Sequence, residues 1–280
     1  MSSPRHRSTS PTSDESDHSC SSSRTPTPAP IIDDANWTTG EFTLISADGV
    51  RFKIPSYVLL NASSVFRDIA SLPCDNASAA PAPEIELTDA TIETADVLRI
   101  FLSLAAHGTL GLEPREVGYF ATLFLLKDTI GLCTKYLADG VLHVLKLQIY
   151  KLHSEHRGLY ALYAFVLGAV SDDVQLTMMA FSDMRSTWVD DEPTGPRAAL
   201  RHGFPGGCTL CPQTWPLKLA EAIPLQYSWA LNRAWMNAAR NAKHVPACFE
   251  NLLLVAKGQQ PTKPGSPLNV VDVYQALTTV

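Results

Sequence analysis

EFTLISADGVRFKIPSYVLLNASSVFRDI, residues Glu41 to Ile69, is the stretch that decides how this chain begins to fold. Phe42 and Leu44, with Ile45 behind them, mark a short β-type run. Ala47-Asp48-Gly49 supplies turn chemistry, because an Asp-Gly pair suits the positive backbone angles of a tight turn. Val50, Phe52 and Ile54 then alternate with Arg51 and Lys53, which puts three apolar side chains on one face of a second strand. Pro55 lacks a donor for the sheet ladder and ends that strand. Beyond it Val58, Leu59, Ala62, Val65, Phe66 and Ile69 recur at helical spacing over about four turns. The order is strand, turn, strand, helix.

C-terminal to this unit, 71–83 reads as a loop by its Pro, Ala, Ser and Asn content, and Glu84-Ile85-Glu86-Leu87 as a short third strand. Asp89 or Thr91 can cap a helix running to about Ala106, with Ile92, Ala95, Leu98, Phe101, Leu102 and Ala105 as its apolar face and Gly108 as its stop. Val117 to Val144 predicts two more helical segments, broken near Gly131. N-terminal to it, residues 1–35 are rich in Ser, Thr, Pro and Asp and nearly devoid of large apolar side chains, so a disordered tail is expected. Its four Ser-Pro or Thr-Pro steps, at Ser3, Ser10, Thr25 and Thr27, are acceptors for phosphate, although such pairs co-occur in any Ser/Pro-rich tail.

The residues from Glu41 on resemble the BTB/POZ family, whose opening shows a strand, an Asp-Gly type turn, a second strand and a helix with a Leu-x-x-x-Ser-x-x-Phe pattern. Here those positions read Phe42-Thr43-Leu44, Asp48 to Ile54, and Leu59-Leu60-Asn61-Ala62-Ser63-Ser64-Val65-Phe66. Lys53-Ile54-Pro55-Ser56-Tyr57-Val58-Leu59 and Val65-Phe66-Arg67-Asp68 are similar to the large fungal, basidiomycete-type branch. Glu41 and Pro55 depart from the Asp and His that many members carry at these positions, which shape the base of the domain and its dimer groove.

The resemblance implies an α+β fold, a short three-stranded sheet sheathed by helices over 41–145; beyond it the chain's own pattern reads as an all-helical extension over 146–280. It implies a protein-protein interaction module without catalytic activity, an adaptor or scaffold. That module forms a homodimer or docks a partner, either a cullin-type ubiquitin ligase or a transcription-linked complex. Candidate contact residues are Phe42, Leu44, Leu59, Asn61, Ala62, Val65 and Phe66; plain core packing is the competing role, above all for Leu44, Leu59 and Phe66.

Composition sets the limits of this reading. A chain of 280 residues is long enough for a sizeable core, and 45% hydrophobic with 18% charged residues suits packed helices. A net charge of −6 argues against a broad phosphate-binding surface, so no nucleic-acid partner is expected. The start MSSPRHRSTSPTSDES lacks the apolar centre of a secretory signal, and no run of about 18 apolar residues could span a bilayer. An intracellular protein, cytoplasmic or nuclear, is therefore expected. The six cysteines then stay mostly thiols, and the sequons at Asn36, Asn61 and Asn76 are chance matches.

In the second half, His153 to Gly168 with its flanks reads as a helix pair carrying a stripe of Leu159, Leu162, Tyr163, Val166 and Val170. Asp172-Asp173 caps a helix over Val174 to Met184. Pro- and Gly-rich 190–216 reads as a long loop, and Leu225 to Ala239 as a helix bearing Trp229 and Trp235 as core residues. The alternative function is a metal-binding or redox protein. Cys208-Thr209-Leu210-Cys211, with His202 before it and His244 or Cys248 after it, has donors for a tetrahedral zinc. A lone CxxC in a Gly- and Pro-rich loop lacks a second close pair and the helix start of a redox motif, so no cofactor is expected. His153 and His156, three apart on a helix, have no nameable third ligand, and no phosphate loop or nucleophile elbow is present.

Overall fold

The computed structural model describes residues 30–72, 84–111, 118–155, 160–184, 215, 217–238 and 245–259. The expected tail up to residue 29, most of the 71–83 loop, and the 190–216 loop apart from Trp215 lie outside them. What is described is α+β: a small mixed sheet with many helices.

The sheet has four strands where three were expected. They are β1 (Ile32–Thr38), β2 (Phe42–Ile45), β3 (Val50–Ile54) and β4 (Glu84–Glu86), in the order β1-β3-β2-β4. The hairpin forms as its alternation predicts: β2 and β3 are antiparallel, Phe42 faces Ile54 and Leu44 faces Phe52, and all four side chains are buried. The turn is closed by Gly49 N–H to Ser46 O at 2.9 Å, and Gly49 takes the positive φ of 82°. Asp48 keeps a negative φ and uses its side chain elsewhere, as shown below.

The strand missed in the sequence is β1, which overlaps the expected tail at residues 32–35. IDDANWT has no apolar alternation, and only Asp34 of its side chains is buried. It pairs in parallel with β3, Ile32 with Val50 and Asp33 with Arg51, and resumes at Thr38 with Lys53. Between these pairs Asp34 to Trp37 form a bulge against the single Phe52. Asp34 holds the bulge: its Oδ1 accepts from Asn36 N at 2.9 Å and Trp37 N at 3.2 Å, and its Oδ2 from Arg99 Nε at 2.7 Å. Burial pushes the Asp34 carboxyl up, but these donors outweigh it and hold it below its usual range.

The expected four-turn helix is two helices, α1 (Ser56–Ala62) and α2 (Ser64–Ser71). Ser63 breaks it by turning extended, at φ −142° and ψ 132°, and capping α2: its Oγ accepts from Phe66 N at 3.2 Å. The apolar spacing survives the break, so Val58, Leu59 and Phe66 all reach the core.

Helix α3 (Ala95–His107) ends at Gly108, in left-handed conformation, as expected. Neither Asp89 nor Thr91 caps it. Its first N–H, of Ala95, is accepted by Asp48 Oδ1 at 2.9 Å, from the hairpin turn 47 residues earlier. Helix α4 (Tyr119–Lys135) runs straight through Gly131 instead of breaking there. A Cβ on Gly131 would stand 3.2 Å from Ile92 Cγ2, so this glycine serves close packing. The break comes at Tyr136 to Ala138, where Leu137 has φ 48°.

Helix α5 (Asp139–Glu155) crosses residue 145, and the core runs without interruption from Phe42 to Leu253. Helix α6 (Ala161–Val170) carries no single stripe: every residue from Ala161 to Ala169 is buried, so it is the central helix of the second half. Asp173 caps α7 (Val174–Met184) as expected, accepting from Leu176 N at 2.9 Å. Helices α8 (Leu217–Ala222), α9 (Leu225–Ala238) and α10 (Val245–Ala256) follow. Phe165 of α6 gathers Phe181, Trp215 and Phe249 around it, with ring centroids 5.9–6.0 Å away. Trp229 is half-buried against the same core.

Candidate protein-docking surface

The hairpin delivers the chain at Pro55 into α1, and what holds α1 decides which face it offers. Glu41 Oε2 accepts from Ser56 N at 2.8 Å, bringing a carboxylate to the first turn of the helix. That backbone bond holds the Glu41 carboxyl below its ordinary value. At the other end Arg67 of α2 donates to Leu60 O from Nε at 3.2 Å and from Nη2 at 2.8 Å, satisfying a terminal carbonyl. Between these ties Val58 and Leu59 point into the core. Tyr57, 66% exposed, and Asn61 stand one turn apart on the outer face.

A polar cluster fastens the α1–α2 break to the rest of the molecule. Ser63 Oγ donates to Tyr136 O at 2.5 Å, and the Tyr136 ring stacks on Phe66 with centroids 4.6 Å apart. The Tyr136 hydroxyl donates to Glu93 Oε1 at 2.6 Å, where Lys135 Nζ also sits at 2.6 Å; Glu93 Oε2 accepts from Thr88 N and Asp89 N at 2.8 and 2.7 Å. Burial raises the Glu93 carboxyl, but Lys135 and Tyr136 outweigh it and keep it below its ordinary value; burial and that same carboxylate push the Tyr136 phenol up. An ionised, fully partnered carboxylate next to an unreactive phenol is a brace.

The second open feature is the outer edge of β1, which among the described residues pairs with β3 on its other side only, and Ile31 and Ile32 are 44% and 64% exposed. The strand is pinned from behind by Arg99, which also meets Asp96 at 2.6 Å, and by the Trp37 ring stacked on His107 with centroids 6.4 Å apart.

Of the seven contact residues expected from sequence, Phe42, Leu44, Leu59 and Phe66 lie in the core, at 6% exposure or less. Ala62 and Val65 are half-buried against it, and Asn61 alone is exposed. Sequence reasoning passed over Tyr57, although a helical wheel puts it with Asn61 opposite Val58 and Leu59. Ile31 and Ile32 carried no signal, because an edge strand that buries one Asp does not alternate.

Of the candidate metal ligands, His202, Cys208, Cys211 and His244 lie outside the described residues, as does His156. Cys248 is half-buried on α10, and His153 is buried at the end of α5. Among the described residues no three His, Cys, Asp or Glu side chains gather to hold a metal. Burial pushes the Cys133 thiol up to about 12, far from the thiolate a ligand or nucleophile needs. No described helix is long and apolar enough to cross a membrane. Comparison with protein-family models, with curated proteins and with solved structures finds no match for this chain.

Proposed function

We propose that this chain is a protein-interaction module of the BTB/POZ kind, an adaptor or scaffold that docks other proteins and performs no catalysis. The observation that carries the reading is the outer face of α1. Tyr57 is 66% exposed on a helix whose inner face, both ends and following turn are fixed by Leu59, Glu41, Arg67 and Ser63. A rigidly held, exposed aromatic is the type of anchor on which interfaces concentrate their energy. The order hairpin, short strand, long helix, with a helical stretch after the hairpin, is the second support, since it agrees with the family order that the sequence resembles.

In this reading Tyr57 and Asn61 are the centre of the contact, the β1 edge extends it, and the buried Phe42, Leu44, Leu59 and Phe66 hold its shape. A homodimer or a cullin-type ligase subunit is the occupant, with a transcription-linked complex as the other candidate. Affinity purification of the full chain with identification of its partners, together with light scattering, tests this. Recovery of a cullin with the native chain and its loss with Tyr57→Asp makes the chain a ligase adaptor. A dimer that becomes a monomer in the same variant makes α1 a self-association surface. A monomer that retains no specific partner overturns the proposal.

A further inference from the structure

We propose that the outer edge of β4 is a docking site for an extended strand of another protein that carries the pattern basic, apolar, basic. This edge involves neither α1 nor β1, on which the docking reading above rests. The sheet order puts β4 at the opposite end from β1, and among the described residues it pairs with β2 only. Within that parallel pair Thr43 lies beside Glu84, Leu44 beside Ile85 and Ile45 beside Glu86. Just beyond the strand, Leu87 N donates to Ile45 O at 2.9 Å. Successive residues of a strand turn their backbone groups to opposite sides. Ile85 and Leu87 therefore bond β2, while the N–H and C=O of Glu84 and Glu86 face outward. Such a row is a template for one more strand.

The side chains say which strand fits. Glu84 and Glu86 are exposed, and Ile85 between them is half-buried against the core. By the same alternation both carboxylates stand on the outer face of the sheet and Ile85 on the inner, beside Leu44. Among the described residues neither carboxylate has a cation of its own: Lys135 is taken by Asp89 and Glu93, and Arg51 by Asp33. A second copy laying its own β4 on this edge brings Glu against Glu and is repelled. A strand with Lys or Arg at two alternate positions sets a cation opposite each carboxylate, and the apolar residue between them continues the inner face past Ile85. The pattern reads the same in both directions, so it suits parallel and antiparallel addition alike.

Arg51 and Lys53 share the outer face, but they lie on β3, three strand spacings or about 14 Å from the added strand. That exceeds the screening length of about 8 Å at physiological salt, so the charge facing the newcomer is that of the two carboxylates. With only two residues offering backbone groups, charge decides the partner.

Peptide binding to the full chain tests the proposal. Fluorescein-labelled Thr-Val-Lys-Ile-Lys-Val-Thr and Thr-Val-Glu-Ile-Glu-Val-Thr are titrated with the protein and followed by anisotropy, and amide exchange at Glu84, Ile85 and Glu86 is followed by NMR. The expected result is saturable binding of the lysine peptide, about tenfold tighter than that of the glutamate peptide, with the preference reversed when Glu84→Lys and Glu86→Lys are combined. The bound peptide is expected to slow exchange about tenfold at Glu84 and Glu86 and to leave Ile85, already bonded to β2, unchanged. Tyr57→Asp, which tests the docking role of α1, is expected to bind the lysine peptide as the native chain does. Absence of saturable binding, a preference that survives the double substitution, or binding without protection of Glu84 and Glu86 would overturn the proposal. Protection of those two amides before any peptide is added overturns it as well: fading on dilution, it means that a second copy holds the edge, and otherwise that the chain covers its own edge.

Discussion

Glu93 shows what a single residue contributes here. Its side chain is 1% exposed, yet it stays ionised because four donors converge on it: Thr88 N, Asp89 N, the Tyr136 hydroxyl and Lys135 Nζ. Glu93→Ala orphans two backbone N–H groups and a buried phenol, so a loss of about 3 kcal/mol is expected, read as a lower urea midpoint. Glu93→Gln keeps the shape and loses the charge, and costs roughly half of that. The folded carboxyls of Glu93 and Asp34 lie below their ordinary values of 4.5 and 3.8. Their stabilisation is therefore fully present above those values and disappears as pH falls through the folded ones. Urea midpoints measured against pH are expected to be level from neutrality to about pH 5 and to fall below about pH 4, less steeply in Glu93→Gln. At the hairpin turn, Asp48→Ala removes the cap of α3 and is expected to cost about 1 kcal/mol, with Asp48→Asn nearly neutral because its carbonyl oxygen also accepts.

At the scale of elements the α1–α2 break and β1 stand out, since both depart from what local pattern implies. Val58 to Ile69 has the spacing of one helix, but Ser63 lies where a backbone carbonyl of the next layer, Tyr136 O, is waiting for a donor. Satisfying it and capping α2 outweighs continuing the helix through Ser63. β1 is held by the pair of Asp34 and Arg99 and by Gly49 O accepting from Ile32 N at 3.0 Å. Arg99→Met leaves the buried Asp34 carboxylate with backbone donors only. Because Arg99 itself is 42% exposed, the expected cost is modest, about 1–2 kcal/mol. It is expected locally: amide exchange at Ile32 and Trp37 rises about tenfold while that of α3 is unchanged.

For the whole molecule, one core joins the hairpin to the last helix, so a docking face can be altered without loss of fold only where the side chain leaves that core. If Tyr57 has the docking role proposed for it, Tyr57→Asp is expected to abolish partner or self-association while shifting the unfolding free energy by less than about 0.5 kcal/mol. Leu59→Ala, which truncates a side chain inside the core, is expected to cost about 2–5 kcal/mol and to lose association only through unfolding. Thermal melts beside light scattering separate the two. Of the contact residues expected from sequence, Phe42, Leu44, Leu59 and Phe66 take the core-packing role that competed with docking, because apolar spacing marks what is buried. The exposed Tyr57 carries no periodicity of its own.

What the sequence by itself determined are features whose causes lie within a few residues. These include the β2–β3 register, the turn at Gly49, the stop of α3 at Gly108 and the Asp173 cap of α7. Turn chemistry, capping and alternation act at that range, so the hairpin from Glu41 could be drawn before any packing was known. The tertiary structure alone decided β1, the break at Ser63, the cap of α3 and the role of Gly131. Each depends on a group brought from far along the chain: Arg99 lies 65 residues from Asp34, Tyr136 73 from Ser63, Ala95 47 from Asp48, and Ile92 against Gly131. A polar group that is satisfied only at such distance leaves no period in the sequence, because its partner is chosen by how the layers meet.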